Sequence, residues 1–274
     1  MATPAQDTVE LARRIRAHCV RMTHHAQASH IGTCLSMADL LAVLYSEVLR
    51  VDPARPEWAD RDRFILSKGH GAAGLYAVLA ERGFFPREWL ATYGDDGGRL
   101  ATHVVRYGVP GVDFSTGSLG HGLSVGCGMA LAGKREGRPY RVFVQLSDGE
   151  CDEGSTWEAV LFAPHHGLDN LVAIVDYNKI QSFGTVKEVL DLEPLADKWR
   201  AFRWGVREID GHDHGHILEA CRAVPFEAGR PSAIIAHTVK GKGVRFMEDK
   251  LLWHYKSPDA EQLAAALAEL GEAP

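Results

Sequence analysis

The sequence predicts an α/β fold: a doubly wound, mostly parallel sheet with helices on both faces. Two continuous apolar stretches rich in β-branched residues, 141–148 and 170–178, have the composition of strands that are buried on both sides. A helical pattern over 155–166 joins them, which is typical of a parallel crossover unit. The 274 residues contain no repeat and no low-complexity linker, so we expect a single domain over 1–274.

The other predicted elements follow from shorter patterns along the chain. Residues 7–50 have helical spacing on both sides of a break at 27–36, and Ser36 is the predicted N-cap of the second helix. An apolar strand at 64–67 precedes a helix that ends at Gly83. The remaining predictions are an irregular glycine-rich stretch at 92–111, a glycine loop and a closely packed helix of small residues at 115–137, a helix at 193–204, a strand at 206–210, a helix at 216–224 and a final buried strand at 231–239.

Composition argues against several classes of protein. A net charge of -6 disfavours a nucleic-acid partner, since phosphate binding favours a basic surface. No stretch of about 18 apolar residues indicates a membrane span, and the first residues lack the apolar core of a signal peptide. No two cysteines have CxxC spacing, which argues against a disulfide framework or a zinc site and favours reduced thiols in a cytoplasmic protein. The cysteines are Cys19, Cys34, Cys127, Cys151 and Cys221.

Polar residues follow each of the two long predicted strands. Asp148 comes after the first strand and Asn178 after the second, and the carboxyl ends of parallel strands form the edge where ligands bind. A carboxylate, an amide oxygen and a nearby backbone carbonyl suit Mg²⁺ or Ca²⁺. Gly149 allows close approach of the backbone, and the following helix N-terminus favours an anion. The pattern predicts a metal and diphosphate site; the alternative is an Asp-Gly turn whose acids complement a helix dipole.

The two polar segments together resemble a known cofactor fingerprint. SDGECDEG and DYNKI are similar to the thiamine-diphosphate motif, in which Gly-Asp-Gly is followed by Asn at about this distance. Ser147 stands in place of the first Gly, and Tyr177 in place of the Asn that usually precedes Asn178. The resemblance implies that Asp148, Asn178 and the Ile180 carbonyl ligate the metal.

Further motifs resemble the transketolase family, and specifically a separately encoded N-terminal half of it. The matching segments, in the family's order, are ASHIGTCLSMADLLAVLY, DRFILSKGHGAAGLYAVL, GVDFSTGSLGHGLSVGCGMALA, SDGECDEGSTWEA and HTVKGKGVRFMEDKLLWHYKSP. Because they span nearly the whole chain, the resemblance is more specific than any one motif. It implies the catalytic residues His30, His103 and His254 and the cofactor-binding residues His70, Gly117, Ser118, Leu119, Gly149, Glu153, Asn178, Lys240 and His254.

Some residues keep an alternative explanation. The altered context LATHVVRYGVPG weakens the assignment of His103, and Ser118 and His121 replace the family's usual Pro and Gln. Lys240 and Lys242 either neutralise phosphate or belong to a solvated loop. The other histidines are expected to be structural or surface residues.

The resemblance also implies a partner. In the family, the glutamate that activates the cofactor belongs to a second, pyrimidine-binding domain, and no second series of strands and helices precedes Pro274. We therefore expect a separate subunit with pyrimidine and C-terminal domains, a two-plus-two heterotetramer, and ketol transfer between sugars, expected to be phosphates. The alternatives are a specialised carboligase that uses pyruvate or an unusual sugar, and a non-catalytic diphosphate- or nucleotide-binding module.

Overall fold

A parallel sheet forms the centre of the molecule. The computed structural model describes residues 4–273, so residues 1–3 and 274 of the predicted domain lie outside the described part. The strands are β1 (Arg63–Leu66), β2 (Val142–Ser147), β3 (Leu171–Tyr177), β4 (Gly205–Asp210) and β5 (Ser232–His237). Their order in the sheet is β1-β2-β3-β5-β4, and every neighbouring pair is parallel.

Helices connect the strands. They are α1 (Pro4–His25), α2 (Ile31–Ser36), α3 (Ala38–Val43), α4 (Ala72–Glu81), α5 (Gly122–Arg135), α6 (Gly154–His165), α7 (Val186–Val189), α8 (Leu195–Ala201), α9 (His214–Arg222) and α10 (Ala260–Glu269). No helix among residues 4–273 is long and apolar enough to cross a bilayer.

Alternate residues of each central strand enter two different cores. Phe143 and Ile174 pack with α1 to α4, α9 and α10 on one face, whereas Val144 and Val175 pack with α5, α6 and α8 on the other. This is the period-two pattern of a sheet that is covered on both sides. The predicted doubly wound α/β fold is confirmed.

The N-terminal helices differ in one detail from the prediction. Ser36 is the last residue of α2, and Met37, which makes no side-chain cap, precedes α3. The Ser36 hydroxyl instead donates to the carboxylate of Asp176 at 2.6 Å, far along the chain on β3. The predicted N-cap is therefore wrong, because a buried carboxylate takes the hydroxyl. A π-helical turn, Leu44–Val48, extends α3.

The small-residue helix α5 packs closely on the sheet with one face only. At Gly126 a Cβ atom would lie 2.5 Å from a methyl group of Val144, so this contact requires glycine. On the opposite side Ser124, Gly128 and Ala132 are exposed. The predicted close packing is correct for the face on the sheet, and the described residues leave the other face uncovered.

Candidate active site

A polar cavity of about 440 Å³ lies at the carboxyl edge of the sheet. It brings together twelve residues that the sequence assigned: His30, His70, His103, Gly117, Leu119, Asp148, Gly149, Glu153, Asn178, Ile180, Lys240 and His254. Thr33, Ser147, Asp152, Gln181, Ser182, Phe183 and Val189 complete the lining. Ser118 is exposed and faces a separate depression beside Phe114 and His121, so the structure does not bring it into the cavity.

The predicted metal ligands converge where β2 and β3 end. Asp148 is 2% exposed, and its carboxylate accepts the backbone N–H groups of Gly149 at 2.8 Å and Lys179 at 2.6 Å. Lys179 has a φ of 69°, a left-handed conformation that turns its N–H towards Asp148. The side-chain oxygen of Asn178 accepts the N–H of Ile180 at 3.2 Å. These bonds hold the carboxylate and the amide oxygen at the same edge.

The oxygen donors at this edge are suited to a hard divalent cation. A carboxylate, an amide oxygen and a backbone carbonyl match the ligand preferences of Mg²⁺ and Ca²⁺ better than those of Zn²⁺. Within residues 4–273, no cluster of three or more His, Cys, Asp or Glu side chains is arranged to hold a metal ion. A cation here would therefore depend on Asp148, Asn178 and the Ile180 carbonyl, together with oxygens of its ligand.

Asp148 carries a negative charge that no cationic side chain of the described residues contacts directly. Burial, followed by the nearby carboxylate of Asp176, raises the pKa of Asp148 to about 6. The Lys240 ammonium is oriented elsewhere, towards the Ile180 carbonyl at 2.8 Å and the Nδ1 atom of His254 at 3.0 Å. A bound divalent cation would supply the missing positive charge and reverse this shift.

Lys240 is the basic residue of the cavity. It is 2% exposed, and burial lowers its pKa to about 8. Lys242, two residues further on, is more exposed and lies near Glu248 at 3.9 Å. The structure thus separates the two lysines whose roles the sequence left open: Lys240 lines the cavity and Lys242 does not.

Four histidines form one cluster over the cavity. The ring centroid of His30 lies 5.0 Å from that of His70, 5.9 Å from that of His103 and 5.0 Å from that of His254. His30 has a left-handed φ of 75°, and its N–H donates to the carbonyl of His254 at 2.8 Å. Because His30 is not glycine, this backbone conformation is sterically unfavourable and is held by the surrounding structure.

Three half-buried histidines, His30, His70 and His254, are neutral near pH 7. Burial, followed by the electrostatic effects of His103 and the Lys240 ammonium, lowers the pKa of His30 to about 4. Burial, together with Lys240 and His30, lowers the pKa of His254 to about 3. Burial and the Lys68 ammonium hold the pKa of His70 well below its ordinary value. These rings can donate and accept hydrogen bonds without adding positive charge.

Two further segments complete the lining. His70 lies in the turn Gly69–Gly71 that leads directly into α4, so the N-terminal end of that helix faces the cavity. Glu153 precedes α6 and is exposed at the cavity wall. Cys151, between the acids of the same stretch, is buried, and its pKa is raised by burial, so it is an inert thiol.

Sequence reasoning missed Glu150, which is fully buried beneath the glycine loop. Its carboxylate accepts the Ser67 hydroxyl, the N–H of Gly120 at 2.9 Å and the N–H of Ser147 at 3.4 Å. It thereby joins the ends of β1 and β2 to the loop that carries Gly117. Its position two residues after Asp148 was the only signal in the sequence.

The ion pair between Lys68 and Asp176 was also missed. Both side chains are fully buried beneath the cavity, and Asp176 additionally accepts the hydroxyls of Ser36 and Thr238. Lys68 also donates to Thr33 at 2.8 Å. Burial alone would raise the pKa of Asp176, but Lys68 and the hydroxyl donors lower it below its ordinary value.

Comparisons with known proteins identify the family to which the chain is similar. The family described as transketolase, thiamine diphosphate binding domain, matches residues 7–274. The chain is 42% identical over 267 residues to one subunit of the apulose-4-phosphate transketolase of Phocaeicola vulgatus, covering 97% of this chain and 95% of that protein. It is 46% identical over 241 residues to the 6-deoxy-6-sulfo-D-fructose transketolase subunit SqwG of a Clostridium species, covering 88% of each.

Solved structures give the same result for the fold. A transketolase from Leishmania mexicana superposes with a TM-score of 0.92 at 30% identity, over 100% of this chain and 42% of that one. A transketolase from Campylobacter jejuni gives a TM-score of 0.93 at 29% identity, over 100% of this chain and 44% of that one. The chain therefore spans less than half the length of these transketolases.

Proposed function

The chain belongs to the transketolase family, of which it carries the thiamine-diphosphate-binding domain, and we propose that it is the cofactor-binding subunit of a split transketolase. In this role it transfers a two-carbon ketol unit from a ketose to an aldose together with a second subunit. The observation that carries the proposal is the convergence of Asp148, Asn178, Lys240 and the histidine cluster in one cavity at the carboxyl edge of the sheet.

The oxygen ligands and Lys240 would hold the charged end of the cofactor. Asp148, the Asn178 side chain and the Ile180 carbonyl would ligate Mg²⁺ (or Ca²⁺), while Lys240 and the N-terminal end of α4 at His70 would contact the diphosphate. When bound, thiamine diphosphate supplies the electron sink for the transferred fragment. The protein supplies position and charge.

The histidines would act on the sugar. Lys240 donates to the Nδ1 atom of His254, so the proton of this neutral ring is on Nε2, which can donate to a hydroxyl. His30 lies beside His254, and its low pKa keeps it available as a hydrogen-bond acceptor. His103 is exposed at the cavity mouth. We assign the three rings to orienting substrate hydroxyls and moving protons.

Apolar side chains around the cavity mouth support a separate partner subunit. Phe183, which lines the cavity, is 84% exposed, and Leu190, Leu252 and Tyr255 are between 54% and 56% exposed. The uncovered face of α5 adds small residues that permit close approach. Exposed apolar surface at a site is typical of an interface. We propose a pyrimidine-type partner and a two-plus-two heterotetramer.

The named relatives suggest the class of substrate. The sugars in their names carry a phosphate or a sulfonate, so we propose ketoses with an anionic terminal group, and sugar phosphates first. We place the protein in the cytoplasm, because its five cysteines are all buried free thiols, as expected in a reducing compartment.

Calorimetric titration with thiamine diphosphate tests the proposal. We expect binding in the presence of Mg²⁺ and its loss when EDTA is added. Ketol transfer is expected only when a pyrimidine-type subunit is also present. Binding of ATP or NAD in place of thiamine diphosphate would contradict the cofactor assignment, and rapid transfer by this chain alone would contradict the partner.

A further inference from the structure

A buried polar cluster lies outside the cavity, between α1, α3 and α9. The carboxylate of Asp39, with 7% of its side chain exposed, accepts Arg16 at 2.5 Å and 3.1 Å. It also accepts the Nδ1–H of His212 at 2.7 Å and a ring nitrogen of His214 at 3.1 Å. The two histidines are similarly withdrawn from water, with 14% and 9% of their side chains exposed.

The second nitrogen of His212 makes a contact that His214 does not share. Its Nε2 atom accepts the backbone N–H of Val239 at 2.8 Å, whereas the other ring nitrogen of His214 contacts the hydroxyl of Thr8 at 2.8 Å. A backbone N–H can only donate, so Nε2 of His212 carries no proton and Nδ1 does. Asp39 therefore sets the tautomer of a neutral ring, and that ring holds Val239.

Val239 directly precedes the cavity lysine. The ladder of the sheet ends with the N–H of Thr238, which donates to the carbonyl of Tyr177 at 3.2 Å, so Val239 is the first residue beyond it. Lys240 then turns its ammonium into the cavity. The bond to His212 is thus the last hydrogen bond that a backbone N–H makes before Lys240. Beyond it, the Lys240 carbonyl accepts the N–H of Asp249 at 2.9 Å, and the N–H of Gly241 donates to the Gly32 carbonyl at 2.9 Å.

We infer that His212 is a positioning residue for Lys240: its imidazole, oriented by Asp39, fixes the Val239 amide and so directs the Lys240 ammonium into the cavity. The consequence for cofactor binding rests on the proposed function. The anchoring of the Val239 amide by His212 does not depend on the proposed function, because it follows from the hydrogen bonds alone. Histidine is suited to this task because one flat ring both donates to a carboxylate and accepts from an amide.

Two matched variants separate positioning from general stability. His212→Phe and His214→Phe each remove one donor to Asp39 and keep a ring of similar size, but only the first removes the acceptor for Val239. In amide hydrogen exchange on the ligand-free chain, we expect the Val239 amide to exchange about tenfold faster in His212→Phe. In His214→Phe its rate should stay within about twofold of the wild-type rate.

Calorimetry with thiamine diphosphate and Mg²⁺ then tests the link to the cavity. We expect affinity to fall about tenfold in His212→Phe and to change little in His214→Phe. In His212→Gln the side-chain amide can donate to Asp39 and accept from Val239, so this variant should retain both the protection of Val239 and the affinity.

Three results would overturn the inference. One is equal exchange of Val239 in the two Phe variants, and another is equal affinity despite faster exchange. The third is a folded His212→Gln chain that has lost either the protection of the Val239 amide or the affinity for thiamine diphosphate. This result decides the matter even when His212→Phe cannot be purified. A wild-type chain that binds no thiamine diphosphate would instead overturn the proposed function, and the exchange comparison would still test the hold on Val239.

Discussion

Asp148 and Asp176 lie at the ends of neighbouring strands, and both are withdrawn from water, yet their surroundings differ. Asp176 is paired with the Lys68 ammonium and accepts two hydroxyls, which lower its pKa. Among the described residues, Asp148 accepts backbone N–H groups alone, and burial together with Asp176 raises its pKa to about 6.

The difference indicates that Asp176 is a structural carboxylate and supports the proposal that Asp148 binds a cation. A buried charge is strongly destabilising unless it is paired and hydrogen-bonded. Lys68 meets that requirement for Asp176 within the chain, and Asp148 is left to be compensated by something that binds. The chain itself therefore neutralises Asp176 beneath the cavity, whereas no described cationic side chain pairs with Asp148 at the proposed metal-binding edge.

The largest expected effect comes from removing the buried ion pair between Lys68 and Asp176 beneath the cavity. Lys68→Met leaves Asp176 buried without its cation, and we expect a loss of about 3–5 kcal/mol in the free energy of unfolding. The control is Lys134→Met, which removes a half-exposed pair with Asp169 and should cost about 0–1 kcal/mol. Urea denaturation of the ligand-free chain measures both. Equal losses in the two variants would show that the Lys68–Asp176 pair has no special structural role.

The complementary change removes the uncompensated carboxylate. We expect Asp148→Ala to weaken Mg²⁺-dependent binding of thiamine diphosphate by at least about a hundredfold, because the only anionic ligand of the proposed metal set is lost. The stability of the ligand-free chain should change by no more than about 1–3 kcal/mol, because loss of the acceptor for the Gly149 and Lys179 N–H groups is opposed by removal of an unpaired buried charge. Asp197→Ala, which removes an exposed acid on α8 outside the cavity, is the control for calorimetry. Unchanged affinity in folded Asp148→Ala would refute the metal assignment.

Variants of two histidines extend the comparison to the two proposed parts of the cavity. His70 is assigned to the cofactor diphosphate, and His30 is assigned to the substrate. With the partner subunit present, His30→Ala should lower kcat by about tenfold or more while cofactor affinity stays within about threefold. His70→Ala should weaken cofactor binding by about tenfold, with a smaller effect on kcat at saturation. Steady-state kinetics and calorimetry distinguish the two. The reverse pattern would mean that their roles are exchanged.

The smallest expected effect is on the pH dependence of stability without ligands. As pH falls through about 6.5, unfolded chains protonate their histidines, while the folded rings of His30 and His254 stay neutral to about 4 and about 3. The unfolded state then binds more protons than the folded state, so the free energy of unfolding decreases as the pH decreases. Asp148 acts in the opposite direction, because with a pKa of about 6 it binds a proton in the folded state first.

Asp148→Asn should therefore steepen the loss of stability between pH 6 and pH 4.5. The expected change in slope is about 1 kcal/mol per pH unit, the effect of about one proton. Urea denaturation at several pH values checks it, with Asp197→Asn, the same change at an exposed position on α8, as the control. An unchanged slope in Asp148→Asn would show that Asp148 is ionised in the folded chain throughout this range.

The sequence predicted most of the fold because its signals are local. The apolar runs of β2 and β3 and the helix between them are each visible within a few residues. The prediction failed at Ser36, whose hydroxyl serves Asp176, 140 positions away. The capping box of α10, formed by Asp259 and Gln262, was a local signal that was overlooked.

The cavity residues were predicted from their sequence motifs, whereas the buried polar pairs that lie behind the cavity were not predicted. Asp148, Asn178 and the histidines stand in recognisable segments, and the structure brings them into one cavity. Lys68 is 108 positions from Asp176, and His212 is 173 positions from Asp39. Such pairs are formed only in the folded topology, and a single amino-acid sequence gives no local signal for them.

Asp148 is the only carboxylate in the proposed metal-ligand set, and this has a consequence for how a cation and the cofactor would bind together. A dication beside Asp148 alone would leave a net positive charge, and a diphosphate without the cation would face that carboxylate directly. The cation and the diphosphate are therefore each expected to bind weakly alone and more tightly when the other is present. By thermodynamic reciprocity, the factor by which the cation tightens the diphosphate equals the factor by which the diphosphate tightens the cation. If Asp148 binds the cation as proposed, the affinity of the chain for the cation and its affinity for the cofactor each rise when the other is present.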